Sequence, residues 1–250
     1  MELKNALKHF KLITTHRWYV LLNCCKAGMP IRGLIHDLSK YHPVEFCESV
    51  KYFQGNRSPI DACKEANGYS KAWMHHKGRN PHHYEHWQDN FDKGGQAVQM
   101  PFEYALELVC DYLAAGKAYM KKDFTYEAEY NWWCSKKKNP IAMHPQTKKF
   151  VDMMLEQMKL DESSDCLKKP CAKYIYTVAE RSTFKNSKPT SEVNINSIDE
   201  FMETLANKWK EYPELRFGQL VVSILGEDPF YMENDEAINL INNKNKKEKV

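Results

Sequence analysis

Apolar residues recur at steps of three and four along two long stretches of the chain, and this spacing restricts the fold more than any other feature. The first stretch covers the first 29 residues, and Gly28 with Pro30 ends it. The second stretch, PFEYALELVCDYLAAGKAYM, begins at Pro101. Because an α-helix turns once every 3.6 residues, residues at this spacing share one helix face. The pattern predicts amphipathic helices and, with shorter helical segments between them, an all-α fold.

The distribution of polar residues predicts a large N-terminal part and a small C-terminal part. Residues 1–160 are predicted to form a helical domain. Residues 161–197 include DESSD and FKNSKPTSEVN, a composition typical of a linker or a loosely structured connection. Residues 198–250 are predicted to form a small, mainly helical unit, with helices at 198–210 and near 234–242 and a basic tail. Such a tail is usually solvated and does not indicate nucleic-acid binding.

Charge and hydropathy exclude several classes of protein. The formal net charge of +3 is too small to indicate binding to nucleic acid or to a membrane surface. No apolar run approaches the roughly 20 residues that span a bilayer, and the charged N-terminus MELKNALKHFKL is unlike a secretory signal. The eight cysteines are irregularly spaced and form no CxxC pair. We therefore expect reduced thiols in a cytoplasmic protein and no zinc-finger site.

Three polar features interrupt otherwise apolar helix faces: His16, the pair His36–Asp37 in GLIHDLSK, and Asp111 in VCDYLAA. Taken singly, a histidine on such a face is usually a core residue with satisfied hydrogen bonds. A lone aspartate usually caps a helix or pairs with an arginine. Each feature nevertheless carries a burial cost. A shared divalent cation would compensate all of them, and imidazole with carboxylate ligands suits zinc, iron, manganese or nickel.

A second cluster, WMHHKGRNPHHYEHW at residues 73–87, contains five of the ten histidines. A polar loop that uses histidine for surface hydrogen bonds is the simplest alternative, but the flanking tryptophans favour a packed segment. Adjacent residues on a helix point about 100° apart, so we expect one member of each adjacent pair to face a metal. We choose His76 over His75 and His83 over His82, although spacing alone leaves both choices open.

The order of these residues resembles the HD superfamily of metal-dependent phosphohydrolases. GLIHDLSK is similar to the usual family phrase GLLHDIGK and departs from it mainly at Ser39. His16 lies 20 residues before the His-Asp pair, where the family places its first ligand. VCDYLAA resembles the late ADxLxA helix that supplies the last carboxylate. The resemblance covers about residues 5–120 and implies an HD-type helical bundle with these metal ligands: His16, His36, Asp37 and Asp111.

The extra histidines imply a second metal position. In HD proteins such as the HD-GYP cyclic dinucleotide phosphodiesterases and the di-iron HD oxygenases, histidines between the pair and the last aspartate build that position. HHKGRNPHH is similar to the HD-GYP stretch HHExxDGxGYP but lacks its Glu and its GYP. The whole pattern more closely resembles an HD-like family of unknown function. His76 and His83 are then further ligands, and the cofactor is one or two ions of Mn, Fe, Zn, Ni or Mg.

The resemblance implies a hydrolase that acts on a nucleotide or another small phosphate ester through a metal-activated water. Asp37 and Lys40 are the predicted catalytic residues. Asp37 would ligate the metal and orient the water, and Lys40 would contact phosphate as a point charge, unless it is a solvated helix end. Lys77 and Arg79, in the histidine-rich segment, are the predicted substrate-binding residues.

Two other functions stay open at this stage. With two irons, HD proteins that resemble this chain cleave C–C or C–P bonds with oxygen, so an oxygenase is the first alternative. A metal-stabilised binding or sensor module without turnover is the second. A small phosphorylated substrate is the one partner that the residues indicate, and they leave the oligomeric state undetermined.

Overall fold

A computed structural model describes residues 3–89, 95–138, 140–184 and 195–211, and for residues 184 and 195–201 it describes the backbone alone. These residues form ten α-helices, which are α1 (Leu3–Lys26), α2 (Pro30–Ile35), α3 (Pro43–Lys51), α4 (Pro59–Asn67), α5 (Lys71–Arg79), α6 (Phe102–Met120), α7 (Tyr126–Lys136), α8 (Pro145–Asp161), α9 (Lys169–Phe184) and α10 (Ile195–Lys210). The described residues contain no β-strand, so the prediction of an all-α fold is confirmed. None of these helices has both the length and the apolar character that crossing a membrane requires.

Helices α1 and α6 pack against each other and form the centre of the N-terminal bundle. Val20 and Cys24 on α1 are fully buried, and nearly every residue of α6 from Ala105 to Ala114 is buried as well. Asn23 Nδ2 donates a hydrogen bond of 3.0 Å to the carbonyl oxygen of Cys110. The buried face of α6 is mainly apolar, whereas that of α1 also carries His9, His16 and Asn23, and several apolar residues of α1, such as Leu3 and Leu7, are exposed. Burying the apolar residues of both faces together is the main favourable term in the association of the two helices.

Helix α2 lies unusually close to α1, and Gly33 makes this approach possible. A Cβ atom at Gly33 would lie 2.7 Å from Cys24 Cβ and 2.9 Å from Leu21 Cα. Such distances are far below van der Waals contact, so any larger residue would force the two helices apart. The close packing fixes the C-terminal end of α2, and with it the residues that follow, against the centre of the bundle.

Helix α9 corrects one prediction about organisation. Residues 161–197 were expected to be a linker or a loosely structured connection, but residues Lys169–Phe184 form a helix that packs against α8. Ile175 and Tyr176 are buried, and the Tyr176 hydroxyl donates a 2.6 Å hydrogen bond to the carbonyl oxygen of Met100. The segment has a short apolar face with helical spacing, but the polar residues on both sides of it made the whole region resemble a linker.

The chain divides into two compact units, residues 1–187 and residues 188–250. In the second unit the structure describes α10 and one residue beyond it. Helix α10 confirms the helix that was predicted at residues 198–210. The predicted helix near 234–242 and the basic tail lie outside the described residues. The predicted domain limits at 160 and 198 stay predictions.

Candidate metal centre

Five elements of the first unit bring the predicted metal ligands into one buried cluster. Helix α1 supplies the first histidine, the turn after α2 supplies the His-Asp pair, α5 and the turn after it supply further histidines, and α6 supplies the last carboxylate. The six predicted metal ligands all belong to this cluster: His16, His36, Asp37, His76, His83 and Asp111.

We call the first set of ligands the Asp111 group; it consists of His16, His36, Asp37 and Asp111, and all four residues are buried. His16 Nε2 lies 3.1 Å from Asp111 Oδ1, and His36 Nε2 lies 3.2 Å from Asp37 Oδ2. The two remaining His–Asp pairs lie 3.6 Å apart. Ligand atoms bound at about 2.1 Å to one transition metal are roughly 3.0–3.4 Å apart. The spacing of the group therefore fits a single cation.

We call the second set the His83 group; it consists of Asp37, His76, His82 and His83. Asp37 Oδ1 lies 3.2 Å from His76 Nε2 and 3.4 Å from His82 Nε2. His76 Nε2 in turn lies 2.9 Å from His83 Nε2. The Oδ2 atom of Asp37 faces the Asp111 group and its Oδ1 atom faces the His83 group. One carboxylate can therefore bridge two neighbouring cations.

The backbone around His36 and Asp37 explains how two adjacent side chains point to one place. The pair was predicted to lie on a helix face, but α2 ends at Ile35. Asp37 then adopts a left-handed conformation with φ 53° and ψ 26°. Asp is one of the few residues that occupies this region at moderate cost. The break removes the 100° divergence that a helix would impose.

The choice between adjacent histidines comes out differently for the two pairs. His76 lies in the cluster, whereas the Nδ1 atom of its neighbour His75 lies 2.5 Å from Glu45 Oε1. His82 and His83 both lie in the cluster, although we expected only one of them. That expectation assumed a helix, but α5 ends at Arg79 and His82 and His83 lie in the turn that follows it. His82 is thus a ligand candidate that the sequence analysis did not select.

Unsatisfied polar atoms mark the centre of the cluster. Seven buried side-chain atoms lack a hydrogen-bond partner among the residues that the structure describes, and five of them belong to this cluster. The five are His16 Nε2, His36 Nε2, Asp37 Oδ1, Asp37 Oδ2 and His82 Nε2. Leaving one such atom unpaired costs about 1–3 kcal/mol, and more when it is charged. Cations held by both groups would satisfy all five at once, so the residues fit metal ions.

Two outer carboxylates hold the imidazole rings in position. The Nδ1 atom of His36 donates to Glu107 Oε1 at 2.9 Å, and the Nδ1 atom of His76 lies 2.7 Å from Glu45 Oε2. His82 Nδ1 also approaches Glu107 Oε1, at 3.4 Å. Each contact leaves Nε2 directed at the cluster, which is the usual arrangement behind metal-bound histidines. Neither glutamate was predicted from the sequence, although Glu107 precedes Asp111 by one helical turn.

The clustered charges change the protonation of the ligands. Burial disfavours the imidazolium, but the contacts with Asp37, Asp111 and Glu107 outweigh it and raise the pKa of His36 well above its usual value. Burial likewise opposes ionisation of Asp37 and Asp111, but the neighbouring histidines, with Lys40 for Asp37, hold the pKa of both carboxyls well below the usual range. The pKa of Glu107 falls to about 2, because His36 and His82 outweigh its burial. The carboxylates are therefore ionised, as cation binding requires.

A cavity of about 230 Å³ adjoins the cluster. Lys40 and Lys136 lie on its wall, together with cluster residues from both groups. Lys40 Nζ lies 2.6 Å from Asp37 Oδ2, although the contact lacks the angles of a hydrogen bond. Lys40 therefore supports the Asp37 carboxylate, and its predicted contact with phosphate stays a prediction.

The predicted substrate contacts Lys77 and Arg79 do not line this cavity. On α5 the buried face carries Ala72 and His76, and Lys77 lies about 100° away from His76. Arg79 is exposed, and its guanidinium is directed at the carbonyl oxygen of His75, 3.5 Å away. Proximity in sequence to the histidines was thus a poor guide to the cavity. Lys136, on α7, was not selected from the sequence.

Comparisons with known proteins give a family. A family model described as "Family of unknown function (DUF5662)" matches residues 5–157, which include every residue of both ligand groups. No curated protein and no solved structure matches the chain. The resemblance to the HD superfamily is not tested by these comparisons and stays a prediction. Since the family model matches more than half of the chain, the protein belongs to the family DUF5662.

Proposed function

We propose that this protein is a metal-dependent phosphohydrolase of the HD type, acting on a nucleotide or another small phosphate ester. One observation carries the proposal: a single buried carboxylate, Asp37, directs its two oxygens at two different groups of metal-binding side chains. Two-metal sites of this kind are typical of enzymes that displace groups at phosphorus. The order of the ligands along the chain is the second support, since it follows the HD pattern.

Different side chains would have different roles in such a reaction. When bound, divalent cations would lower the pKa of a water molecule and offset the charge on the phosphoryl group. Asp37 would hold its place between the two groups through Lys40, whose Nζ lies 2.6 Å from Oδ2. Glu107 and Glu45 would keep the His36 and His76 rings oriented with Nε2 inward. The cavity beside the cluster would receive the ester.

Metal content, measured by elemental mass spectrometry, is the test of this proposal. Full-length protein purified without chelator or affinity histidines would be compared with Asp37→Ala and with Asp61→Ala, an exposed aspartate on α4. We expect about two ions per chain in the wild type and in Asp61→Ala, and a loss of both in Asp37→Ala. Manganese, zinc, nickel or magnesium in the wild type, together with hydrolysis of phosphate esters, would support the proposal.

Two other outcomes would replace it. About two irons per chain, lost in Asp37→Ala, would favour the di-iron oxygenase, because imidazole and carboxylate ligands suit iron equally well. Oxygen consumption would then be screened in place of phosphate release. No bound metal in any of the proteins, even after reconstitution with each ion, would exclude both the phosphohydrolase and the oxygenase. The binding or sensor module would then be the function that stays open.

A further inference from the structure

Lys136 is a cation on the cavity wall that has no carboxylate partner. No carboxylate oxygen of the described residues lies within 4.0 Å of its Nζ atom, whereas Lys40, the other lysine of the cavity, is paired with Asp37. Glu45, also on the wall, is occupied by His75 and His76. Lys136 is thus the charged group of the cavity wall that is available to a ligand.

Aromatic rings surround this ammonium group and link it to both ligand groups. Nζ lies 4.8 Å from the ring centre of Tyr112, 5.1 Å from that of Trp132 and 5.6 Å from that of Tyr84. It also donates a 3.3 Å hydrogen bond to the Tyr112 hydroxyl. Tyr112 follows Asp111 in the chain, and Tyr84 follows His83. Burial lowers the pKa of Lys136, and the more distant charges of Glu85, Asp111 and Asp61 offset this desolvation only in part.

The rest of the cavity wall is mainly apolar or aromatic, and its other polar residues are His9, Ser49 and Ser58. Besides the metal ligands and the groups named above, it includes Leu12, Ile13, Pro59, Ile60, Trp73 and Tyr119. The volume of about 230 Å³ lies below the 300 Å³ or so at which pockets for drug-sized ligands begin. A ligand of this cavity is therefore small, and its surface away from the metals is apolar.

We propose that Lys136 binds the anionic group of the substrate, and that this substrate is a small phosphate monoester of an apolar, ring-containing alcohol, such as an aryl phosphate. The inference rests on the proposed hydrolase function and narrows its substrate. Hydrolysis would join a water oxygen to phosphorus and break the bond between phosphorus and the ester oxygen. The alcohol would leave with one proton of that water, and phosphate would retain the other.

The test is calorimetric titration of the metal-loaded, full-length protein with phenylphosphonate, which is not hydrolysed, and with methylphosphonate, which lacks the ring. Four proteins are compared: wild type, Lys136→Met, Lys136→Arg and Lys122→Met, the last at an exposed lysine away from the cavity. We expect the wild type and Lys122→Met to bind phenylphosphonate at least about tenfold more tightly than methylphosphonate. Lys136→Met should weaken the binding of phenylphosphonate at least about tenfold, while its metal content stays unchanged. Lys136→Arg should stay within a few-fold of the wild type, since it keeps the charge.

Each contrary result overturns a stated part of the inference. Equal binding of phenylphosphonate by the wild type and Lys136→Met, or no binding by the wild type, would remove the anion-binding role. Loss of metal or of folding in both Lys136 variants would make the residue structural and would overturn the inference. A wild-type preference for methylphosphonate would overturn the aryl substrate. Hydrolysis of phenyl phosphate is measured in parallel: if it is absent while binding depends on Lys136, the proposed function fails and the anion site stands.

Discussion

The Asp111 group and the His83 group share one carboxylate but are held by different kinds of backbone. The Asp111 group is held by α1, α6 and the turn after α2, and all four of its members are buried. The His83 group is held by the nine-residue helix α5 and by the turn that follows it, and its last member, His83, is only partly buried. Rigid helices place ligands more accurately than turns do. The comparison teaches that one candidate cation position is built from buried helix residues and the other depends on a short helix and a turn.

We expect the largest difference between the two groups when one histidine is removed from each of them. We expect His16→Ala to weaken cation binding by the Asp111 group at least about 100-fold. His83→Ala should weaken cation binding by the His83 group only about tenfold, because the turn can readjust. Zinc affinity would be measured by competition with a chromophoric chelator. Similar losses at both positions would contradict the difference in rigidity.

The outer carboxylates offer a second way to distinguish the groups. Glu107 contacts His36 in one group and His82 in the other, whereas Glu45 contacts His76 alone among the ligands. Glu107→Gln should therefore weaken the binding of both cations, and Glu45→Gln should weaken only cation binding by the His83 group. Each affinity should fall by about 10–100-fold. Stepwise zinc titration of the two variants resolves the positions. Two equal losses in Glu45→Gln would show that the groups are coupled.

A pair of glycines tests the packing behind each group. Gly33→Ala should lower the free energy of unfolding by about 1–3 kcal/mol, because its Cβ would meet Cys24 and Leu21 on α1. Gly78→Ala on α5 meets nothing within 4 Å and should raise that free energy by up to about 1 kcal/mol through helix propensity. Urea unfolding of the two variants gives both values. A stabilising Gly33→Ala would mean that α1 and α2 separate at little cost.

The smallest expected effect concerns His75, which neighbours His76 but pairs with Glu45 outside the cluster. His75→Ala should leave the metal content at its wild-type value, whereas His76→Ala should lower it by about one ion per chain. Elemental mass spectrometry of the two variants provides the comparison. An equal loss in His75→Ala would mean that Glu45 cannot hold the His76 ring alone.

His16 and Asp111 were found in the sequence because each is a polar residue on an apolar helix face, whereas His36 and Asp37 were found through the phrase GLIHDLSK; the structure brings the four together. His16 between Ile13 and Val20, and Asp111 within VCDYLAA, stand out against their neighbours in a way that burial explains. His82 and His83 lie in the turn after α5, where no apolar helix face surrounds them and makes a polar residue stand out. The choice between His82 and His83 therefore relied on a helix that ends before them.

The charged residues outside the ligand motifs were the least predictable part of the site. Glu107, Glu45 and Lys136 reach the cluster or the cavity only through packing between helices that are distant in the chain. In a sequence each of them resembles a solvated helix residue. Lys77 and Arg79 show the converse, since they adjoin the histidines in the chain but point away from the cavity. Tertiary contacts, which local patterns do not encode, decide both cases.

The left-handed backbone at Asp37 places two separate demands on one position. The carboxylate must face both ligand groups, and the main chain must tolerate a φ of 53°. Asparagine tolerates that conformation almost as well as aspartate, whereas alanine does not. Asp37→Asn would therefore alter the electrostatic role of the residue while preserving its conformational role. A chemist who wishes to reduce the charge of this centre without disturbing the turn has a substitution that the backbone already permits.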